Sequence, residues 1–252
     1  MPGSFTDVGI VLRRVDYGEA DRVLTVLTRE HGKVGVIARG VRRTGSRLAA
    51  RTDLFECSRM QLVIGRGELL VLAQAQRAPG PAPRLVQEPR RAACAAVVAE
   101  LTDRVLEERQ RDEEIFDLVE DALESVADPA RDARAALVRF ARQMIGRLGY
   151  APQLHRCAAC GGPLPELPAA FSAAAGGLLC PGCRPADPRA VDCPVRVIKV
   201  LRVAAEGDDA TWERLRLDPA TLSILETIVE RELEQHLDRR LRSWEVLRAL
   251  GG

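Results

Sequence analysis

The sequence predicts an α+β chain of several domains: a small β-barrel, then an α-helical domain into which a four-cysteine metal ribbon is inserted. Three observations predict it. Residues 7 to 76 hold five short strand-like segments without helical periodicity. Much of the chain from residue 92 to 250 has helical periodicity. Residues 157 to 183 break that period with two CxxC pairs. The expected boundaries are a barrel over 1–78, a linker over 79–90, a helical domain over 91–156 and 190–252, and a ribbon over 157–189.

The strands come first. DVGIVLRRV at 7 to 15 puts Val8, Ile10 and Leu12 on one side, and Tyr17-Gly18-Glu19-Ala20 supplies a turn. Arg22 to Thr28 is the second strand and Val34 to Arg39 the third. A fourth runs from about Leu54 to Ile64, and Gly65-Arg66-Gly67 turns it into a fifth, Glu68 to Gln76. Five short strands in under eighty residues suit a small closed barrel of the OB type, whose groove often takes single-stranded nucleic acid.

Between the third and fourth strands the chain is basic. HGKVGVIARGVRRTGSRLAART, His31 to Thr52, carries Lys33, Arg39, Arg42, Arg43, Arg47 and Arg51 and no carboxylate. Gly40 to Ser46 holds two glycines and cannot bury its arginines in a core, so they project into water or onto a partner. A guanidinium fork matches phosphate oxygens, which points to a nucleic-acid backbone; a merely solvated loop is the plainer reading. Charge is unevenly spread. Residues 1 to 77 carry 13 Lys and Arg against 8 Asp and Glu, whereas residues 100 to 124 hold eleven acids and three arginines. The acidic helix face is expected to meet solvent, with a basic partner as the alternative.

RAPGPAPRLVQEP, 77 to 89, has four prolines and suits a linker. Helices are expected at Ala92 to Arg109 and Glu113 to Val126. A third should run from Ala130 to Leu148 behind an Asp128-Pro129 cap. Later ones follow at Pro194 to Ala205, from Asp218-Pro219 to about Leu237, and near Arg239 to Leu250.

Cys157-x2-Cys160 and Cys180-x2-Cys183 have the spacing of a four-thiolate zinc ribbon. Four thiolates close a tetrahedral site, so the metal would be structural; free thiols or a redox CxxC are the other readings. His155 and Cys193 lie near enough to substitute as ligands. Cys57 and Cys94 sit in apolar segments and suit buried, inert thiols. His31 and His236 have no partner pattern, although His31 could touch a phosphate. No GxGxxG, Walker lysine loop, GxSxG elbow or HExxH is present. No membrane-length apolar run and no signal-peptide pattern appear, and with seven cysteines a reducing, cytoplasmic setting is expected.

GIVLRRVDYGEADRVLTVLTREHGKVGVIARGVRRTGSRLAARTDLFE, 9 to 56, resembles the N-terminal signature of the RecO family of bacterial DNA repair and recombination mediators. The likeness is strongest at Gly18-Glu19-Ala20-Asp21-Arg22, at Thr28 through Lys33, and at Arg39-Gly40-Val41-Arg42-Arg43. It continues more loosely through the helices, with the cysteine quartet where zinc-bearing members have theirs. Gly35 departs from it, since a basic residue is frequent there. The resemblance implies a nucleoid-associated protein without enzymatic turnover that binds single- and double-stranded DNA and anneals complementary strands. It also implies cooperation with RecR, and often RecF, in loading RecA onto DNA coated by single-strand binding protein. Lys33, Arg39, Arg42, Arg43, Arg47 and Arg51 are the expected phosphate contacts, with Arg13, Arg14 and Arg66 behind them. If about six phosphates are neutralised, the log-log salt slope of binding is on the order of −4 to −5. Few aromatics, Tyr17 and Phe55 among them, argue for backbone electrostatics over stacking. Two rivals stand beside this reading: a protein-interaction adaptor with a structural metal and no direct DNA role, and a metal-dependent nucleic-acid hydrolase, which a closed four-thiolate site disfavours.

Overall fold

The computed structural model describes residues 3–65, 67–164, 168–237 and 240–250. The chain divides into two compact units, 1–133 with 241–252, and 134–240. That division falls inside the stretch read from the sequence as one helical domain.

The first unit opens with β1 (Ser4–Tyr17), β2 (Asp21–Thr28), β3 (Gly32–Ala38), β4 (Cys57–Ile64) and β5 (Leu70–Arg77), which close in the order β1-β2-β3-β5-β4. That order is the OB-type barrel. The β3–β5 pair is parallel and the others antiparallel. Alternation fills the interior with Val11, Leu24, Val26, Val34, Val36, Met60, Leu62, Leu70 and Leu72. An irregularity in β1 between Val11 and Arg13 re-aims the strand, so that its last five residues, Arg13 to Tyr17, all stand exposed. A 3-10 turn at Ala49–Thr52 ends the basic loop and leads to β4.

The predicted linker is packed. Its helix α1 (Ala82–Leu85) contacts the next two helices, and Leu85 is fully buried. Helix α2 (Pro89–Val105) starts on a proline at its first position and buries Cys94, Val97, Val98 and Leu101. Helix α3 (Glu113–Ala127) is capped by Asp112, whose carboxylate accepts from the Ile115 N–H at 2.9 Å. The last helix of the chain, Arg242–Ala249, packs on α2, and a side chain of α2 caps it. Glu100 accepts from the Arg242 N–H (3.1 Å), the Ser243 N–H (2.8 Å) and the Ser243 hydroxyl (2.6 Å). Burial pushes the Glu100 carboxyl up, but the Ser243 and Arg242 donors and Arg104 outweigh it and hold the group below its ordinary value.

The acidic helices do not simply face solvent. Arg29, at the end of β2, donates to Asp117 at 2.7 Å and Glu120 at 3.2 Å while its guanidinium lies 4.4 Å from the centre of the Phe116 ring. Asp103 pairs with both Lys33 and Arg13, each at 3.3 Å. Behind α2 the chain runs along β3, where the Arg109 N–H donates to the Lys33 carbonyl at 2.8 Å. It passes so close to Gly32, at φ +67°, that a Cβ there would lie 2.1 Å from the Gln110 carbonyl oxygen. The expectation of a solvated acidic face is corrected here, because part of that face neutralises barrel cations.

The second unit holds α4 (Ala133–Arg147), a three-stranded sheet of β6 (Ala169–Ser172), β7 (Gly177–Leu179) and β8 (Val191–Cys193) in the order β7-β6-β8, and then α5 (Val195–Glu206), α6 (Asp209–Glu213) and α7 (Pro219–His236). Numbered after these, Arg242–Ala249 is α8. Asp128-Pro129 does not cap α4. The Asp128 N–H closes α3 on the Glu124 carbonyl and its carboxylate holds the Ala130 N–H, so the pair forms a turn and α4 begins at Ala133. Asp218-Pro219 does cap α7: the Thr221 N–H and hydroxyl donate to the Asp218 carboxylate and hold it below its usual range. Inside the unit Arg142, 1 % exposed, is paired with buried Glu232, while its Nε and Nη2 have no hydrogen-bond partner among the described residues. Burial pushes the Glu232 carboxyl up against the opposing pull of Arg142.

Candidate nucleic-acid interface and metal centre

The basic positions singled out in the sequence separate into two groups. Lys33 is only 11 % exposed at its side chain, and its ammonium donates to the Asp103 carbonyl as well as pairing with that carboxylate. Arg51 pairs with Glu56, a carboxylate 6 % exposed that Arg77 also approaches at 3.5 Å. Arg14 pairs with Asp53, and Arg13 is shared between Asp103 and the Thr25 hydroxyl. These four cations are engaged within the chain. Arg66 lies outside the described residues.

Arg39, Arg43 and Arg47 are different. All three are exposed, and none has an ion pair or side-chain hydrogen bond among the described residues. They share one stretch, from the end of β3 through the loop that the sequence marked as unable to bury them. Arg42 lies between them as a strut: its guanidinium donates to the carbonyls of Gly18 (3.2 Å) and Glu19 (3.4 Å) and pairs with Asp16 at 3.3 Å. Its N–H donates to the Ala20 carbonyl (2.9 Å), and the Gly40 N–H donates to Asp21 (2.7 Å). The basic loop is therefore stitched to the β1–β2 turn. Sequence reasoning missed Arg59, which stands exposed on β4 and has no ion pair or side-chain hydrogen bond among the described residues. Its signal was an arginine at an outward position between two buried ones, Ser58 and Met60.

Gly35 also has a physical reason. A Cβ there would lie 2.6 Å from Leu69 Cδ2, so the glycine makes room for a leucine that covers this part of β3. His31 is tied down, with Nδ1 2.8 Å from buried Asp7 and its ring stacked on Phe5 at 3.9 Å. Phe55 is buried at φ +66°, which leaves Tyr17, 60 % exposed, as the large aromatic on the barrel's outside among the described residues.

In the second unit the four sulfurs of Cys157, Cys160, Cys180 and Cys183 lie within 4.8 Å of one another. A tetrahedral site with metal–sulfur bonds of about 2.3 Å sets its sulfurs about 3.8 Å apart, so the group is positioned to bind a metal ion. The donor chemistry agrees. Burial pushes the Cys157 thiol up, but the N–H groups of Cys160, Cys180 and Ala159 outweigh it and bring it to about 6. Hydrogen bonds to the other three sulfurs push Cys183 up to about 12, as expected where four sulfurs must share protons unless a cation replaces them. Gly161, at φ +70°, lets the first CxxC turn double back so that its N–H reaches the Cys157 carbonyl at 2.9 Å. Ala170, Leu179 and Ala190 pack beneath the cluster. His155 instead pairs with Glu206 at 2.9 Å. Cys193 is buried, donates to the Val191 carbonyl at 3.2 Å and is pushed up to about 12 by that burial. Cys57 is likewise buried and raised to about 11.

A closed OB-type barrel with a patch of uncompensated arginines, joined to a helical region that carries a four-thiolate ribbon, is the architecture of a nucleic-acid-binding protein with a structural metal. The comparison with protein families is more specific. The model for Recombination protein O N terminal matches residues 1–78, and that for Recombination protein O C terminal matches residues 86–245. The chain belongs to the recombination protein O family, whose members are mediators of DNA repair and recombination that work with DNA and with other recombination proteins. Among the described residues, no helix is long and apolar enough to cross a membrane.

Proposed function

We propose that this protein binds single- and double-stranded DNA through its barrel and anneals complementary strands. With RecR and RecF, it would help RecA load onto DNA coated by single-strand binding protein. It acts as a binding adaptor without turnover, in the cytoplasm at the nucleoid, and Cys157, Cys160, Cys180 and Cys183 hold one structural Zn2+. The observation that carries the reading is the trio Arg39, Arg43 and Arg47, exposed on one short stretch and without an ion pair among the described residues. Such a surface lowers the mutual repulsion of two phosphate backbones while base pairing selects the partner strand. Arg42 contributes by bracing the loop and Arg51 by neutralising Glu56. Lys33, Arg13 and Arg14 would meet phosphate only so far as it can draw them from Asp103 and Asp53.

The test is annealing of complementary oligonucleotides, bare and coated with the cognate single-strand binding protein, by the natural chain and by the R39E/R43E/R47E variant. Annealing that collapses in a variant with native circular dichroism supports the reading. Annealing equal in both would favour the rival, an adaptor that holds other proteins and has no DNA site of its own.

A further inference from the structure

We propose that Tyr17, backed by the apolar row Val15, Val23 and Ile37, is a platform for nucleobases, so that the barrel grips single strands by their bases as well as by their phosphates. The inference rests on the DNA-binding reading and deepens it.

Register puts the row on one face. Val15 is opposite Val23, and Val23 is opposite Ile37, which pairs in turn with Val71. Their sequence neighbours Leu24, Val36 and Leu70 fill the barrel interior, so by alternation the row points outward. Val15 is 50 % exposed, and Val23, Ile37 and Val71 are half-buried. An outward apolar row crossing four strands of a small barrel is surface that water disfavours. Tyr17, two residues beyond Val15 on the same face, extends the row toward the basic loop, and its side chain has no partner among the described residues.

Charge chooses the occupant. The turn that follows Tyr17 is held to the basic loop by Arg42, through the carbonyls of Gly18, Glu19 and Ala20, and by the Gly40 N–H on Asp21. The aromatic ring and the unpaired Arg39 and Arg43 therefore belong to one braced edge. Asp16 and Asp21 at that edge are already engaged, by Arg22 and Arg42 and by the Gly40 N–H, which leaves the exposed Glu19 against Arg39 and Arg43 and a net positive charge. An apolar strip with an exposed ring beside free guanidinium groups matches a single strand, which offers unstacked bases and a phosphate backbone together. A duplex hides its base faces and would use the arginines alone.

Single-strand and duplex affinities of the whole protein, measured across a salt series for the natural chain, Y17A, Y17F and R39E/R43E/R47E, test this. Y17A should lose about 10-fold in single-strand affinity with an unchanged salt slope, because stacking releases no counterions. Its duplex affinity should stay within about twofold, and Y17F should bind as the natural chain does. A 5-iododeoxyuridine oligonucleotide should photocross-link to the peptide containing Tyr17. Y17A with native single-strand affinity, beside a triple variant that binds neither form, would overturn the platform and leave the DNA-binding reading standing. A triple variant that binds DNA normally would remove the ground for both. Loss of single-strand and duplex binding alike in Y17A would also overturn the platform, since it would mean the turn only supports the loop.

Discussion

Lys33 and Arg39 lie six residues apart at opposite ends of one strand, yet they meet opposite fates. At the Lys33 end the barrel faces α2 and α3, and the acids of those helices take up its cations: Asp103 holds Lys33 and Arg13, and Asp117 and Glu120 hold Arg29. At the Arg39 end Asp16 and Asp53 are taken up by Arg22, Arg42 and Arg14, and Arg39, Arg43 and Arg47 stand exposed without an ion pair among the described residues. Cations thus hold the chain together in one region and, on the reading proposed above, stand ready for phosphate in the other. What separates them is where the carboxylates lie. A paired cation must surrender its partner before it can meet a phosphate, whereas a free one surrenders only water and counterions.

Breaking the free end should have the largest effect on DNA. R39E/R43E/R47E should weaken binding at least about 100-fold, measured by anisotropy with a labelled single strand, while the melting temperature barely moves. Breaking the paired end should do the reverse. Lys33→Ala leaves Asp103 without the more buried of its two cations and should cost about 1–3 kcal/mol in denaturant unfolding, with the salt slope of DNA binding unchanged. The Glu100 tether of α8 gives a smaller effect of the same kind, about 1 kcal/mol for Glu100→Ala. Its folded-state carboxyl is held below its ordinary 4.5. The tether's contribution is therefore complete above that value and lost as pH falls through the lowered one, and an acid-unfolding series of the variant should lack this component. The smallest effect should come from the exposed acid in the β1–β2 turn. Glu19→Gln removes a negative charge beside the free arginines and should tighten DNA binding about twofold at low salt.

The ribbon is a second place where like groups gather, here four sulfurs positioned to bind a metal ion. Cys160→Ser should bring bound zinc below one per chain and lower the melting temperature, as should a chelator, because structural zinc contributes folding free energy directly. Zinc content unchanged in that variant would show that the quartet is not the metal site.

Much of this was legible in the sequence because it is local. Strand alternation gave all five barrel strands, two glycines marked the loop that cannot bury its arginines, and two CxxC pairs marked the ribbon. The pairing that sorts the arginines was not legible. Asp103 is 70 residues from Lys33 and Asp117 is 88 from Arg29, and no periodicity or spacing connects them. Asp128-Pro129 misled for a related reason: an aspartate can open a helix or close the one before it, and the choice rests on where its N–H finds a carbonyl. Gly35 looked like a lost cation, whereas its role is space for Leu69, which comes from the turn before β5.

The most direct test of the central claim, that phosphate is met by the free arginines and not by the paired ones, is the salt dependence of single-strand binding by the natural chain. Three phosphate contacts predict a log-log slope of about −2, and R39E/R43E/R47E should bring it near zero. A natural slope of about −4 or steeper, or one that survives in the triple variant, would mean that Lys33, Arg13, Arg14 and Arg51 leave their carboxylates for DNA, and would contradict the account.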